Sequence, residues 1–130
     1  MIVLDTHVVV WLALEPDRIS KKAKSVIEEA RARTEELAIS DMTLFEIANL
    51  SRKARIGFNK SLESFLSQIE SRFVVLPMNS EVCARAMTFG ADFPKDPADR
   101  VIAATALVRG APLISADRAL QAVEELPTIW

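Results

Sequence analysis

Short apolar runs alternate with amphipathic stretches along the whole chain. Met1–Leu4 is apolar and stops at Asp5, which predicts a buried opening strand. His7–Leu14 is apolar nearly throughout and Pro16 follows, so a short buried helix is favoured; the valine triplet at 8–10 also suits a strand. Ser20 is placed to cap a helix reaching about Arg33, with Ala23, Val26, Ile27 and Ala30 on one face. Leu37–Ser40 reads as a second strand, and 41–56 carries Leu44, Ile47, Ala48 and Leu50 at helical spacing with Gly57 as a stop. Ser61 starts a further amphipathic helix, Phe73–Leu76 is a strand closed by Pro77, and Ser80 caps a helix over 82–88. After a loop at 90–95, Asp96-Pro97 opens a helix ending near Gly110. Strand 113–115, helix 118–124 and strand 128–130 complete the chain. Apolar strands separated by helices predict an α/β fold, a parallel sheet with helices on both faces, in one domain over 1–130.

Composition removes several chemistries. The three glycines (Gly57, Gly90, Gly110) stand far apart, which excludes a phosphate-binding loop or a dinucleotide fingerprint. Cys83, the single cysteine, excludes a disulfide framework or a Cys-x-x-Cys site; set among apolar neighbours, it reads as buried packing in a reducing compartment. His7 is the single histidine, so two-histidine acid–base catalysis within one chain is excluded, and no Gly-x-Ser-x-Gly is present. Beside a candidate acid on an apolar segment, His7 reads as a core or interface residue rather than a catalyst. The apolar runs 8–14 and 101–108 are too short to span a bilayer, and no basic residue precedes Asp5, as a signal peptide would require. A cytoplasmic protein is expected. The formal charge of −2 argues, as an average, against nucleic acid as a partner.

Four acids alter that average. Asp5 ends the first strand, Glu46 lies early in the helix after the second, Asp99 lies in the first turn of the helix after the third, and Asp117 follows the fourth. In a right-handed wound sheet these positions share the rim where ligands collect. Carboxylates facing one another must be protonated or neutralised by a cation, and an all-oxygen donor set suits magnesium or manganese. Such an ion would act on a phosphodiester or phosphate ester. Plainer roles exist for each. Asp96, before Pro97, is best read as a helix cap, Asp99 is in position to reach back as a capping acid, and Asp117 could simply start the last helix. Glu46, among Leu44, Phe45, Ile47 and Ala48, needs a partner, for which Arg52 and a metal both qualify.

Four segments together resemble a known family. Ile2-Val3-Leu4-Asp5-Thr6-His7 is similar to the opening of PIN-domain ribonucleases, in particular the VapC-type toxins of toxin–antitoxin pairs. Ser40–Glu46, Asp96-Pro97-Ala98-Asp99-Arg100 with the Val101–Ala106 run, and Leu113–Asp117 follow in family order, and Ile129-Trp130 resembles the family's end. Many members carry a histidine where Pro94 stands; others lack it, so the departure bears on subfamily and substrate. The resemblance implies a PIN-like fold with a five-stranded parallel sheet and a magnesium or manganese site formed by Asp5, Glu46, Asp99 and Asp117. It makes Thr6 the supporting hydroxyl and Asp96 a companion of the site. It also implies a homodimer, a VapB-like antitoxin that blocks the acids, and transfer or ribosomal RNA as substrate.

Charge then reads differently. Four of the 18 acidic residues belong to the rim, leaving 14 against 16 basic. Arg52, Lys53, Arg55 and Lys60 form a stretch without acids that either contacts an RNA backbone or is a solvated helix end. With no tyrosine and 6% aromatic residues, base-stacking platforms are poorly supplied. The expected reaction is in-line attack by metal-activated water, leaving a 5′-phosphate and a 3′-hydroxyl. Two other functions compete: a silent PIN-like RNA-binding module, and a metal-dependent phosphatase with Asp5 as nucleophile. The apolar runs 8–14 and 101–108 suit either an association surface or helices buried on two sides.

Overall fold

The computed structural model describes every residue except 92, 94 and 95; part of the loop expected at 90–95, with Pro94, therefore lies outside the described residues. Five strands, β1 (Ile2–Leu4), β2 (Leu37–Ser40), β3 (Val74–Leu76), β4 (Leu113–Ile114) and β5 (Thr128–Ile129), form an all-parallel sheet of order β3-β2-β1-β4-β5. Its helices are α1 (Thr6–Leu14), α2 (Lys21–Ala32), α3 (Asp41–Arg52), α4 (Leu62–Arg72), α5 (Ser80–Ala86), α6 (Pro97–Val108) and α7 (Arg118–Gln121). From β1 the chain first winds outward through β2 and β3, then returns to the other side of β1 with β4. The carboxyl end of β1 beside β4 is thus the point where winding reverses, the place where open α/β sheets bind ligands.

Strand alternation divides the core. Ile2, Leu4, Leu37, Ile39 and Ile114 face one layer, packed with Val8 and Val9 of α1, Ala23 and Ile27 of α2, Ile47 of α3 and Phe65 and Ile69 of α4. Val3, Ala38, Leu76 and Leu113 face the other, against Ile102, Ala103 and Ala106 of α6 and Leu120 of α7. The opposite side of α6 packs Val101 and Ala104 against Val82 and Ala86 of α5. The apolar excess of the 101–108 segment is therefore used inside the fold, between sheet and α5.

Several element ends differ from expectation, each for a local reason. Helix α3 ends at Arg52 rather than Ile56, because Ala54 adopts a left-handed conformation (φ +55°) and Arg55 N–H closes onto Leu50 C=O. The same closure after α6 uses Gly110 (φ +61°), the residue type suited to it. An alanine there suffers Cβ crowding, so Ala54→Gly is expected to raise stability by about 0.5–1 kcal/mol, seen as a melting temperature higher by a few degrees. An unchanged or lower value would show that the turn carries no such strain. Asn79, not Ser80, caps α5 by accepting the Val82 N–H at 3.0 Å, and α5 stops at Ala86. With Val82 and Ala86 directed inward, the adjacent Cys83 turns outward: it is exposed, not buried packing. Helix α7 is one turn, ending at Gln121 rather than 124.

Candidate functional site

The site begins where β1 stops. Asp5, only 5% exposed, caps α1: its Oδ1 accepts the Thr6 N–H at 2.8 Å. Its Oδ2 accepts the Ser115 hydroxyl at 2.7 Å, and Ser115 Oγ in turn accepts the Asp117 N–H at 3.0 Å. These bonds tie the ends of β1 and β4 together across the switch point. Burial raises the Asp5 pKa above the ordinary carboxylate range against the pull of its hydrogen bonds, and Asp117 raises it further.

Thr6 joins the second strand connection to the first. Its buried hydroxyl donates to Glu46 Oε1 at 2.5 Å, which leaves Thr43 Oγ1, 3.1 Å away, to donate to Thr6. Glu46 is thus partnered by Thr6; Arg52 instead donates to Asn49 Oδ1 at 3.1 Å. Burial first, then the charges of Asp5 and Asp96, raises the Glu46 pKa.

Asp99 is held differently. It sits in the first turn of α6, behind Asp96, whose carboxylate accepts the Ala98 N–H at 3.0 Å as the N-cap. Among the described residues the Asp99 carboxylate has no hydrogen-bond partner, and desolvation together with Asp96, Asp5, Asp117 and Glu46 pushes its pKa up to about 7. Asp117 caps α7, accepting the Ala119 and Leu120 N–H groups through Oδ1 alone. Capping and membership of the rim are compatible here, since the cap leaves Oδ2 free.

The four acids therefore share one electric field. Among the described residues none of the ion pairs involves them, and no three His, Cys, Asp or Glu side chains converge tightly enough to ligate one ion together. What is present is a carboxylate set without an ion-pair partner among the described residues, whose mutual repulsion a divalent ion would relieve; the all-oxygen donors fit magnesium or manganese.

Arg52, Lys53, Arg55 and Lys60 are exposed but stand outside this cluster, and Lys60 donates to Gln68 Oε1 at 2.6 Å. Along α3, Arg52 is about 9 Å beyond Glu46 at about 1.5 Å per residue. Sequence reasoning missed Ser115 and Thr43. Their signal was positional: each is a hydroxyl within three residues of a rim acid. His7, expected in the core or at an interface, is not in the core: it is exposed and lines a cavity of about 160 Å³ with Asp5, Trp11, Ala116 and Asp117. A larger cavity of about 390 Å³, between the 57–60 segment and α4, contains none of the four acids.

Comparison with known proteins agrees with this geometry. The PIN domain family matches residues 2–126. Ribonuclease VapC22 of Mycobacterium tuberculosis (strain ATCC 25618 / H37Rv) is 37% identical over 120 residues, covering 92% of this chain and 89% of that protein. Among solved structures, VapBC2 from Rickettsia felis bound to a promoter DNA fragment superposes with a TM-score of 0.74 at 17% identity, covering 98% and 97% of the two chains. DNA-bound VapBC from Salmonella typhimurium gives 0.70 at 22% identity, covering 98% and 97%. The two structural likenesses carry the fold; the family match and the relative carry the affiliation, and the chain belongs to the PIN-domain family, on its VapC branch.

Proposed function

We propose that this protein is a metal-dependent endoribonuclease, the toxin of a toxin–antitoxin pair, cutting RNA at the acidic rim. The observation that carries the reading is the set of four acids from four separate chain segments, where burial and the neighbouring carboxylates push Asp99 up to about 7 and none of the ion pairs among the described residues involves the four. Asp5, Glu46, Asp99 and Asp117 would hold magnesium or manganese. The bound ion would supply water activation and neutralise charge developing at phosphorus. The chain's own part is positioning. Ser115 and the Thr6 amide fix Asp5, the Thr6 hydroxyl fixes Glu46, and Thr43 fixes Thr6. Asp96 keeps α6 started at the site and adds negative charge beside Asp99.

The similarity to a named VapC ribonuclease supports RNA as substrate, and the VapBC complexes among the structural neighbours support a VapB-like antitoxin partner. Transfer or ribosomal RNA, a homodimer and a cytoplasmic location complete the reading. No helix among the described residues is long and apolar enough to cross a membrane. Arg52, Lys53, Arg55 and Lys60 would engage the RNA backbone beyond the cut. Their replacement by alanine is therefore expected to weaken RNA binding and flatten its salt dependence.

A phosphatase using Asp5 as nucleophile fits less well, because His7 stands two residues on, where that chemistry would want a second acid. The second reading worth testing is a binding-only module. End-group analysis of RNA cut by the purified chain tests the chemistry: 5′-phosphate and 3′-hydroxyl ends are expected, since attack by water needs no 2′-hydroxyl. Ends carrying 2′,3′-cyclic phosphate would refute this route, and RNA retention without turnover would favour the binding module.

A further inference from the structure

We propose that the small cavity beside Asp5 and Asp117 is a nucleobase subsite, where the base next to the scissile phosphate lies against His7 and Trp11. The inference rests on the reading of the rim as an RNA-cleaving site and adds how the substrate is seated there. Helical spacing brings the two rings together: His7 and Trp11 are four residues apart on α1, with centroids 5.9 Å apart and planes tilted by 52°. Asp5, two residues before His7, and Asp117 form the adjoining wall. A ligand in this cavity therefore touches two aromatic rings and two rim acids at once. Its volume of about 160 Å³ suits one planar ring system.

Trp11 is braced for the task. Trp130 packs at 5.7 Å from it, and the Arg18 guanidinium lies 4.5 Å from its ring centroid. His7 is exposed and offers its ring to the cavity. The other ring pairs, Phe58 with Phe65 and Phe89 with Phe93, do not line this cavity. A carboxylate wall repels a free phosphate, whereas a base presents a π-face to the rings and N–H groups to acceptor oxygens. Scarcity of aromatic residues in the chain as a whole thus coexists with a stacking surface at the one place where cleavage needs it.

Both tryptophans of the chain belong to this cluster, so intrinsic fluorescence reports it directly. A single-stranded tetraribonucleotide added to the full-length Asp99→Asn chain in magnesium is expected to quench emission saturably. His7→Ala, placed in the same background, should weaken that affinity by about tenfold, the loss of one base stack, and His7→Phe should restore it. In the otherwise wild-type chain, His7→Ala should raise KM by a similar factor with kcat little changed, and His7→Phe should again restore KM. Absence of quenching, quenching that His7→Ala leaves unaltered, or failure of His7→Phe to restore binding overturns the subsite. Absence of metal-dependent cleavage by the wild-type chain overturns the nuclease reading instead, so the two failures are distinguishable.

Discussion

Asp5→Asn is expected to lower RNA cleavage by about a thousandfold or more while leaving the fold intact. The structure explains why the two effects separate. Asparagine keeps the Oδ1 that accepts the Thr6 N–H, and its amide can donate to Ser115 Oγ, so the tie between β1 and β4 survives. What is lost is one negative charge and one oxygen donor at the switch point. Cleavage rates measured beside circular dichroism and RNA binding check this: activity should vanish with both others retained. A variant that still cuts RNA at near wild-type rate would remove Asp5 from the site.

The second large effect is on stability. The Asp99 pKa rises from its ordinary 3.8 to about 7 in the fold, so between those values the folded chain binds more protons than the unfolded one. Stability contributed by this group is then fully present below about pH 4 and is lost as pH rises towards 7. Asp5 and Glu46, raised in the same direction, add to the same slope. Because Asp99 is only half-buried, solvent screens the repulsion, and about 1 kcal/mol is a fair size for its share. In chelator, Asp99→Asn should therefore melt close to the wild type near pH 4 and several degrees above it at pH 7.5. Excess magnesium should reverse the order at pH 7.5, since the ion binds the folded wild type more tightly. Thermal melts across pH, with chelator and with magnesium, measure all of this. A wild-type chain at least as stable as Asp99→Asn in chelator at pH 7.5 would contradict a repelling cluster. Asp99 suits this test better than Asp5, whose hydrogen bonds complicate any change in charge.

Much of this was legible in the residues themselves. The apolar runs at 2–4 and 37–40 are short and uninterrupted, as buried parallel strands must be, and Ser20, Ser61 and Asp96 announced their helices by capping chemistry. The acids could be assigned to strand ends and first turns because winding leaves few other places for them. The sheet order was not legible: which strand lies beside β1 depends on pairing between distant segments, and that order puts Ser115 within reach of Asp5. Helix ends were misjudged where a non-glycine residue takes the left-handed turn, as Ala54 does. The sequence offered Arg52 as a partner for Glu46 because the two charges are close along the chain. Position on the helix decides otherwise: Glu46 faces Thr6 across the α1–α3 contact, while Arg52, six residues on, lies at the exposed end with Asn49. His7 was expected in the core or at an interface because its neighbours are apolar; three consecutive buried valines follow it while His7 itself is exposed, which removes the core alternative.

The central claim is that the acidic rim holds a divalent ion and cuts RNA with it. The most direct test incubates purified, antitoxin-free protein with total RNA in magnesium, in manganese and in chelator, with Asp99→Asn beside each. Discrete products in the metal lanes, absent in chelator and absent in the variant, are the predicted result. Equal cleavage in chelator, or by Asp99→Asn, would contradict the account.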